Sequence, residues 1–333
     1  MKKIYRWLAA VMIMLICGFP AWGMSAELTK VRVQMDWDPT EVHPGYLLAK
    51  DLGFYAQEGL DVEFLPGRGS ALVASIMAVD KAQMGFIDAA VLLSAKEKGV
   101  PIKAVAATLE SNPLAVFFLK ENGISSPKDL KGKNFLSEFK SFRHYHLLAL
   151  LNKAGLSAED LTILDFSGST GARLQILFSK KVDAVACNSF SAYYKETRLE
   201  NVPGFGRFLF RDFGVEAINK VVAARIDFAK ENPKIVSGFL KASAKGWKYA
   251  LENTKDAARA LVKYSDGVSS EKIFKEGFEA MIPFIKSAET QKLPWGFMSS
   301  RDWQETQKVF VETGLLKKKM PLEEIFTNEF LAR

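Results

Sequence analysis

From Val31 to Met35 apolar residues alternate with Arg32 and Gln34, the period of a half-buried strand. The pattern changes after Asp36-Trp37-Asp38-Pro39. Across residues 44–57 the positions Tyr46, Leu47, Leu48, Leu52, Phe54 and Tyr55 follow helical spacing, with Pro44 where a first turn needs no donor and Gly59 just past the end. A strand at 62–65, the loop Pro66-Gly67-Arg68-Gly69-Ser70, a helix at 71–79 and a strand at 84–87 come next. A helix at 89–98, stopped by Gly99, and a strand at 102–107 close this first round.

A second round follows Asn112-Pro113: strands at 116–119, 134–136, 162–164 and 182–186, with helices at 127–130, 142–154 and 171–178 between them. Further strands are expected at 208–210 and 220–224, and four helical stretches (233–251, 254–264, 270–285, 300–313) fill most of the remainder. Alternating strand and helix is the mark of open sheets with right-handed crossovers. The expected architecture is α/β: one lobe of residues 27–113 plus 219–333, a second of 114–218, two crossing segments near 112–114 and 216–220, and a helical tail that returns to the first lobe. In such sheets ligands bind where loops leave the carboxyl ends of strands, so two such edges facing one another predict a cleft that closes about the crossings.

The first 26 residues belong to a different kind of segment. Lys2, Lys3 and Arg6 precede an apolar run from Trp7 to Phe19 that breaks at Pro20, which predicts a cleavable export signal and a periplasmic location. Cys17 follows Ile16 rather than a small residue, so a lipid anchor is not expected. Removing this segment lowers the formal charge from +7 to +4, and no compact basic block suggests a nucleic-acid groove. Cys187 is then the sole thiol, so no internal disulfide is possible and packing alone must hold the core. His144 and His146, two apart on a helix, point in roughly opposite directions and cannot share a metal ion. No metal site, cofactor or catalytic residue is expected.

Candidate ligand groups are those the topology brings to the strand ends. Trp37 offers a flat apolar face and His43 an in-plane donor or acceptor; the alternative is that they cap the core and a helix start. Gly67, Gly69 and Ser70 can aim N–H groups at an acceptor, or simply form a turn and a helix cap. Asp88 is an acceptor for an amino group or an N-cap, and Glu110 and Asn112 lie at the first crossing. In the second lobe Tyr145 is a stacking wall or a core ring. Ser169 and Thr170 form a donor cluster, and Asn188 ends a strand. Arg68, Arg143 and Arg173 are the available clamps for an anion.

Several stretches together resemble a known group, the periplasmic substrate-binding proteins of ABC importers related to thiamine-pyrimidine synthase and to sulfonate and nitrate binders. They are Trp37-x-Pro39-x-x-x-His43, Gly53-Phe54-Tyr55-x-x-x-Gly59-Leu60-x-Val62, Met84-Gly85-Phe86, Gly99-Val100-Pro101, Phe228-Ala229-Lys230-Glu231-Asn232-Pro233 and Phe326-Thr327-Asn328-Glu329-Phe330-Leu331. The resemblance implies a type II periplasmic-binding fold and a monomeric, non-enzymatic receptor that hands a small molecule to a permease with its ATPase. It places Trp37 and His43 at the ligand, which it implies is a planar heterocycle such as a thiamine-precursor pyrimidine or a flavin. An alkanesulfonate or nitrate is the alternative within the group. An enzyme like the pyridoxal-dependent pyrimidine synthases is the alternative of another class, but their cysteine-rich motif has no match beside the lone Cys187.

Overall fold

A computed structural model describes residues 27–139, 141–191, 203–267 and 269–331. The expected export signal at 1–26, with Cys17, lies outside the described residues. In the first lobe β1 (Thr29–Gln34), β2 (Leu60–Leu65), β3 (Met84–Asp88), β4 (Ile102–Leu109) and β10 (Lys220–Arg225) form one sheet in the order β2-β1-β3-β10-β4. In the second lobe β5 (Leu114–Leu119), β6 (Asn134–Ser137), β7 (Thr162–Asp165), β8 (Ala184–Asn188) and β9 (Phe205–Leu209) form another in the order β7-β6-β8-β5-β9.

The two sheets follow one plan. In each, the first three local strands are parallel, and the fourth place is held by a strand that enters from the other lobe and runs antiparallel. β5 pairs antiparallel with β8 and β9, and β10 pairs antiparallel with β3 and β4. The carboxyl ends of β1 and β3 therefore meet the amino end of β10, which sets Asp36, Asp88 and Lys220 side by side.

The helix expected over 44–57 is two, α1 (Pro44–Asp51) and α2 (Phe54–Gln57). Gly53 between them takes a φ of +71°, a left-handed conformation that ends the first helix before the apolar pattern does. In the first lobe α3 (Ser70–Ala78) and α4 (Ala89–Glu97) follow, and in the second α5 (Phe142–Lys153) and α6 (Thr170–Phe178). After the short α7 (Ile226–Glu231) the tail consists of α8 (Pro233–Glu252), α9 (Thr254–Tyr264), α10 (Glu271–Met281), α11 (Ser300–Glu312) and the short α12 (Leu322–Ile325).

α8 covers the first lobe by direct backbone contact with α1. A Cβ on Gly246 would stand 2.1 Å from the Gly45 carbonyl and 2.7 Å from Ala49 Cβ, and one on Gly45 would meet the Trp247 ring at 2.4 Å. α11 reaches further. Its Phe310 lies edge-on to His146 of α5 at 5.2 Å, its Glu312 pairs with Lys153 at 3.7 Å, and one buried cluster runs from Val73 and Leu92 through Leu147 and Leu150 to Trp303 and Phe310. In return, Phe190 of the second lobe is buried in the first lobe's cluster beside Phe284. The tail thus covers the first lobe and also grips the second.

The crossing segments are pinned where they meet. Asn112 donates through Nδ2 to the Val215 carbonyl (2.9 Å), accepts the Leu114 N–H at Oδ1 (3.1 Å) and gives its own N–H to Glu216 Oε1 (3.0 Å). Ile218 N–H donates to Thr306 Oγ1 of α11 at 2.9 Å. The buried Glu110 carboxylate turns into the tail, where it takes Lys286 Nζ (3.2 Å), the Ser287 N–H (3.3 Å) and the Thr290 hydroxyl. Burial outweighs these partners and pushes its carboxyl up to about 7.

Two predictions follow from packing and burial. Gly246→Ala must push α8 off α1 and is expected to lower stability by about 1–3 kcal/mol in urea denaturation, whereas Lys248→Ala on the exposed face changes it by less than about 0.5 kcal/mol. Equal effects would mean that the close approach is not needed. The second concerns pH. Glu110 stays neutral in the fold while the unfolded chain ionises near 4.3, so its contribution falls by about 3 kcal/mol as pH rises to about 7. Burial holds the His146 imidazole down at about 4, which gives the opposite slope below about pH 6.5. Glu110→Gln is therefore expected to be more stable than the parent at pH 7.5 and to lose that advantage at pH 4.5. A gap equal at both values would acquit Glu110.

Candidate functional site

The carboxyl edge of the first sheet carries a continuous polar chain. β1 ends its apolar run at Met35, so Asp36 arrives where the strand leaves the sheet. There its carboxylate accepts from His43 Nε2 at 3.0 Å and from Lys220 Nζ. Lys220 also donates to Asp88 Oδ1 at 2.6 Å, and Ser70 Oγ donates to Asp88 Oδ2 at 2.8 Å while accepting the Asp88 N–H at 3.0 Å. All five residues are buried. Burial alone would raise the Asp36 carboxyl, but the Lys220 ammonium and the His43 donor outweigh it and hold it well below the usual carboxylate range. Burial would likewise lower Lys220, yet the two carboxylates keep it above the ordinary lysine range.

Trp37 is the exception on this edge. It follows the buried Asp36 directly and is 46% exposed, a large indole left open to solvent beside a rigid floor. The loop carrying it is fixed from below. A Cβ on Gly67 would stand 2.3 Å from Trp37 N, and the Gly69 N–H donates to the Asp36 carbonyl at 2.6 Å with Gly69 at a φ of +106°.

Several residues expected at the ligand are placed differently. His43 has both ring nitrogens engaged, since Nδ1 accepts the Thr40 N–H at 3.0 Å and Nε2 serves Asp36; it orients Asp36 from behind. Gly67 and Gly69 serve the backbone packing of the Trp37 loop, and the Gly69 N–H is not free for a ligand. Asp88 makes no side-chain cap to α4; its oxygens go to Lys220 and Ser70. Glu110 and Asn112 are spent at the crossings, as described above. Arg68 forms an exposed pair with Asp38 at 3.9 Å.

At the second lobe's edge, Arg173 fastens the turn after β7 by donating to the Phe166 (2.8 Å) and Gly168 (3.1 Å) carbonyls and to Glu138 Oε2 (3.0 Å). Arg143 lies over the Phe142 ring at 4.6 Å. Ser169 caps α6 by accepting the Ala172 N–H at 3.2 Å, and the Thr170 hydroxyl meets the buried Cys187 thiol, which burial pushes up to about 11. Tyr145 is half-buried against the core, whereas Phe139, just beyond β6, is 46% exposed. The exposed ring on this edge is therefore Phe139. Asn188 ends β8 with its Oδ1 buried and unpartnered, and Asn219, beside Lys220, likewise keeps Nδ2 buried and unpartnered.

Sequence reasoning missed Asp36, Lys220, Asn219 and Phe139. The available signals were a polar residue at the end of an apolar strand and a lysine opening the apolar run 220–224. Among the described residues no group of three or more His, Cys, Asp or Glu is placed to hold a metal, and no helix is long and apolar enough to cross a membrane.

The chain as a whole is similar to several known proteins. The chain is 23% identical over 327 residues to the formylaminopyrimidine-binding protein of Halalkalibacterium halodurans, covering 98% of each. It is 21% identical over 320 residues to the 4-amino-5-hydroxymethyl-2-methylpyrimidine phosphate synthase of Legionella pneumophila, covering 93% of this chain and 94% of that one. Among solved structures, the periplasmic aliphatic sulphonate binding protein SsuA from Escherichia coli superposes with a TM-score of 0.71 at 16% identity, over 89% of this chain and 91% of that one, which shows a shared periplasmic-binding fold. The family described as NMT1/THI5 like matches residues 40–257, and the chain belongs to that family.

Proposed function

We propose that this chain is an exported substrate-binding protein of an ABC importer, and that it captures a small planar heterocycle of the aminopyrimidine kind between its lobes for delivery to a permease. The observation that carries the reading is Trp37: an exposed indole, on a loop whose backbone is locked, next to a buried polar floor. A flat apolar face beside fixed acceptors suits a ring that stacks and presents N–H groups at its edge. Phe139 supplies an exposed ring on the opposite lobe. The formylaminopyrimidine-binding relative agrees with this ligand class over nearly the full chain.

The relative named as a synthase raises the enzymatic alternative. Two features favour a receptor. Lys220 is kept as an ammonium by two carboxylates, so it is a poor nucleophile, and the Cys187 thiol is fully buried with its proton held up to about 11.

The test is a thermal-shift screen of an aminopyrimidine, a flavin and an alkanesulfonate at millimolar concentration. A ligand present at 100 times its Kd adds about 2.7 kcal/mol to the folded form, enough to move the melting temperature by degrees. The aminopyrimidine is expected to give the largest shift, and Trp37→Ala to abolish it while leaving the unliganded melting temperature nearly unchanged. A shift with the sulfonate alone, or one that survives in Trp37→Ala, would overturn the reading.

A further inference from the structure

β6 and β7 lie side by side in the second sheet, and the chain leaves their carboxyl ends for opposite faces. Leu147 and Leu150 of α5 pack with Phe135, Ala184 and Ala186, whereas Leu174 and Leu177 of α6 pack with Leu136, Val185 and Cys187, the alternate residues of the same strands. Such a divergence opens a crevice over the strand ends, where open α/β sheets take their ligands. Each helix sends an arginine from its first turn into it. Arg143 of α5 and Arg173 of α6 converge on one atom, Glu138 Oε2, just past β6, at 3.9 and 3.0 Å.

The two guanidiniums are short of acceptors. Arg173 is 1% exposed; its Nε and Nη2 are spent on the Gly168 and Phe166 carbonyls and on Glu138, but Nη1 has no partner. Nη1 shares a carbon with Nη2, so this orphan lies within the cluster itself. Arg143 Nε is likewise buried without a partner, and its contact with Glu138 at 3.9 Å is too long for a hydrogen bond. The Phe142 and Phe166 rings beside the two guanidiniums supply no oxygen or nitrogen acceptor. Because a guanidinium is always charged, the shortage does not depend on a protonation state.

Nearby groups do not relieve it. Glu138 Oε1 takes the Ser167 hydroxyl at 2.8 Å, Asp165 takes the Phe139 N–H at 2.8 Å from an exposed position, burial keeps His144 neutral, and the Cys187 thiol keeps its proton. A buried donor left open costs the full desolvation of the group, so a matching acceptor is favoured there. The Arg143 and Glu138 side chains are 21% and 30% exposed, which leaves the cluster reachable from solvent.

We infer that this crevice is a subsite for an oxyanion carried by the ligand: a phosphate, sulfonate or carboxylate group that accepts from Arg143 Nε and Arg173 Nη1 beside Glu138. Two guanidiniums then face two anionic groups. The inference rests on the heterocycle reading above for the ring, which belongs to Trp37 of the first lobe, and narrows it to heterocycles with an acidic arm for the second.

Calorimetric titration of the full mature chain at pH 8 tests it, with 4-amino-5-hydroxymethyl-2-methylpyrimidine, its phosphate monoester and inorganic phosphate as probes. The ester is expected to bind at least about tenfold more tightly than the alcohol. Arg143→Gln is expected to bring the two to within about threefold of one another with the unliganded melting temperature nearly unchanged, and Arg143→Lys, which keeps the charge without the planar fork, to restore part of the gap. Arg173 also fastens the turn after β7, so Arg143 carries the test. Equal affinity for alcohol and ester, or an ester preference that Arg143→Gln leaves intact, would overturn the subsite and leave the heterocycle reading untouched. Binding of inorganic phosphate that Arg143→Gln abolishes, with no binding of either pyrimidine, would overturn the heterocycle and support the oxyanion crevice.

Discussion

The Lys220 ammonium between Asp36 and Asp88 is the contact on which the first lobe's working edge depends. It ties together the ends of three neighbouring strands, β1, β3 and β10, and it joins residues 184 and 132 positions apart in the chain. Removing one member of such a buried pair leaves a charge without compensation, at a cost of about 3–5 kcal/mol. His43 and Ser70 extend the same network into the starts of α1 and α3. The loop bearing Trp37 is therefore attached at its root to a cross-linked floor, which leaves the indole as the exposed group on an otherwise fixed edge.

That floor is also continuous with the hinge. From Glu216, which receives the Asn112 N–H, the chain runs through Ile218, bonded to Thr306 of α11, and Asn219 into Lys220 within four residues. The second crossing thus leads without interruption into the strand that carries the site's central charge. α11 in turn packs on α5 of the opposite lobe through Phe310 and His146. The lobes are therefore joined here by a short, hydrogen-bonded segment rather than a slack linker.

Much of the framework was legible in the sequence because it rests on period and punctuation. The strands at 84–88 and 220–225 are short apolar runs bounded by polar residues, and Thr254–Tyr264 emerges with the limits that its amphipathic spacing predicts. The break at Gly53 was not legible, since the apolar spacing continues through it and only the left-handed φ ends the helix. Site assignments fared less evenly. Helical spacing places Tyr145 on a face without saying whether that face meets core or solvent, and Phe139 precedes the helix, where no period applies. Asp36 and Lys220 find one another only through the sheet order, which no local pattern encodes. His43 and Gly69 have the right chemistry for a ligand, and local hydrogen bonds consume it.

The same chemistry bears on why one fold can serve relatives named as binders and as synthases. A lysine beside a cleft is a nucleophile only when burial or a neighbouring cation lowers its pKa; flanked by two carboxylates it becomes a fixed positive strut. In this chain the surroundings of Lys220 do the second. Its role is then structural and electrostatic, to hold two buried carboxylates together where the strands end.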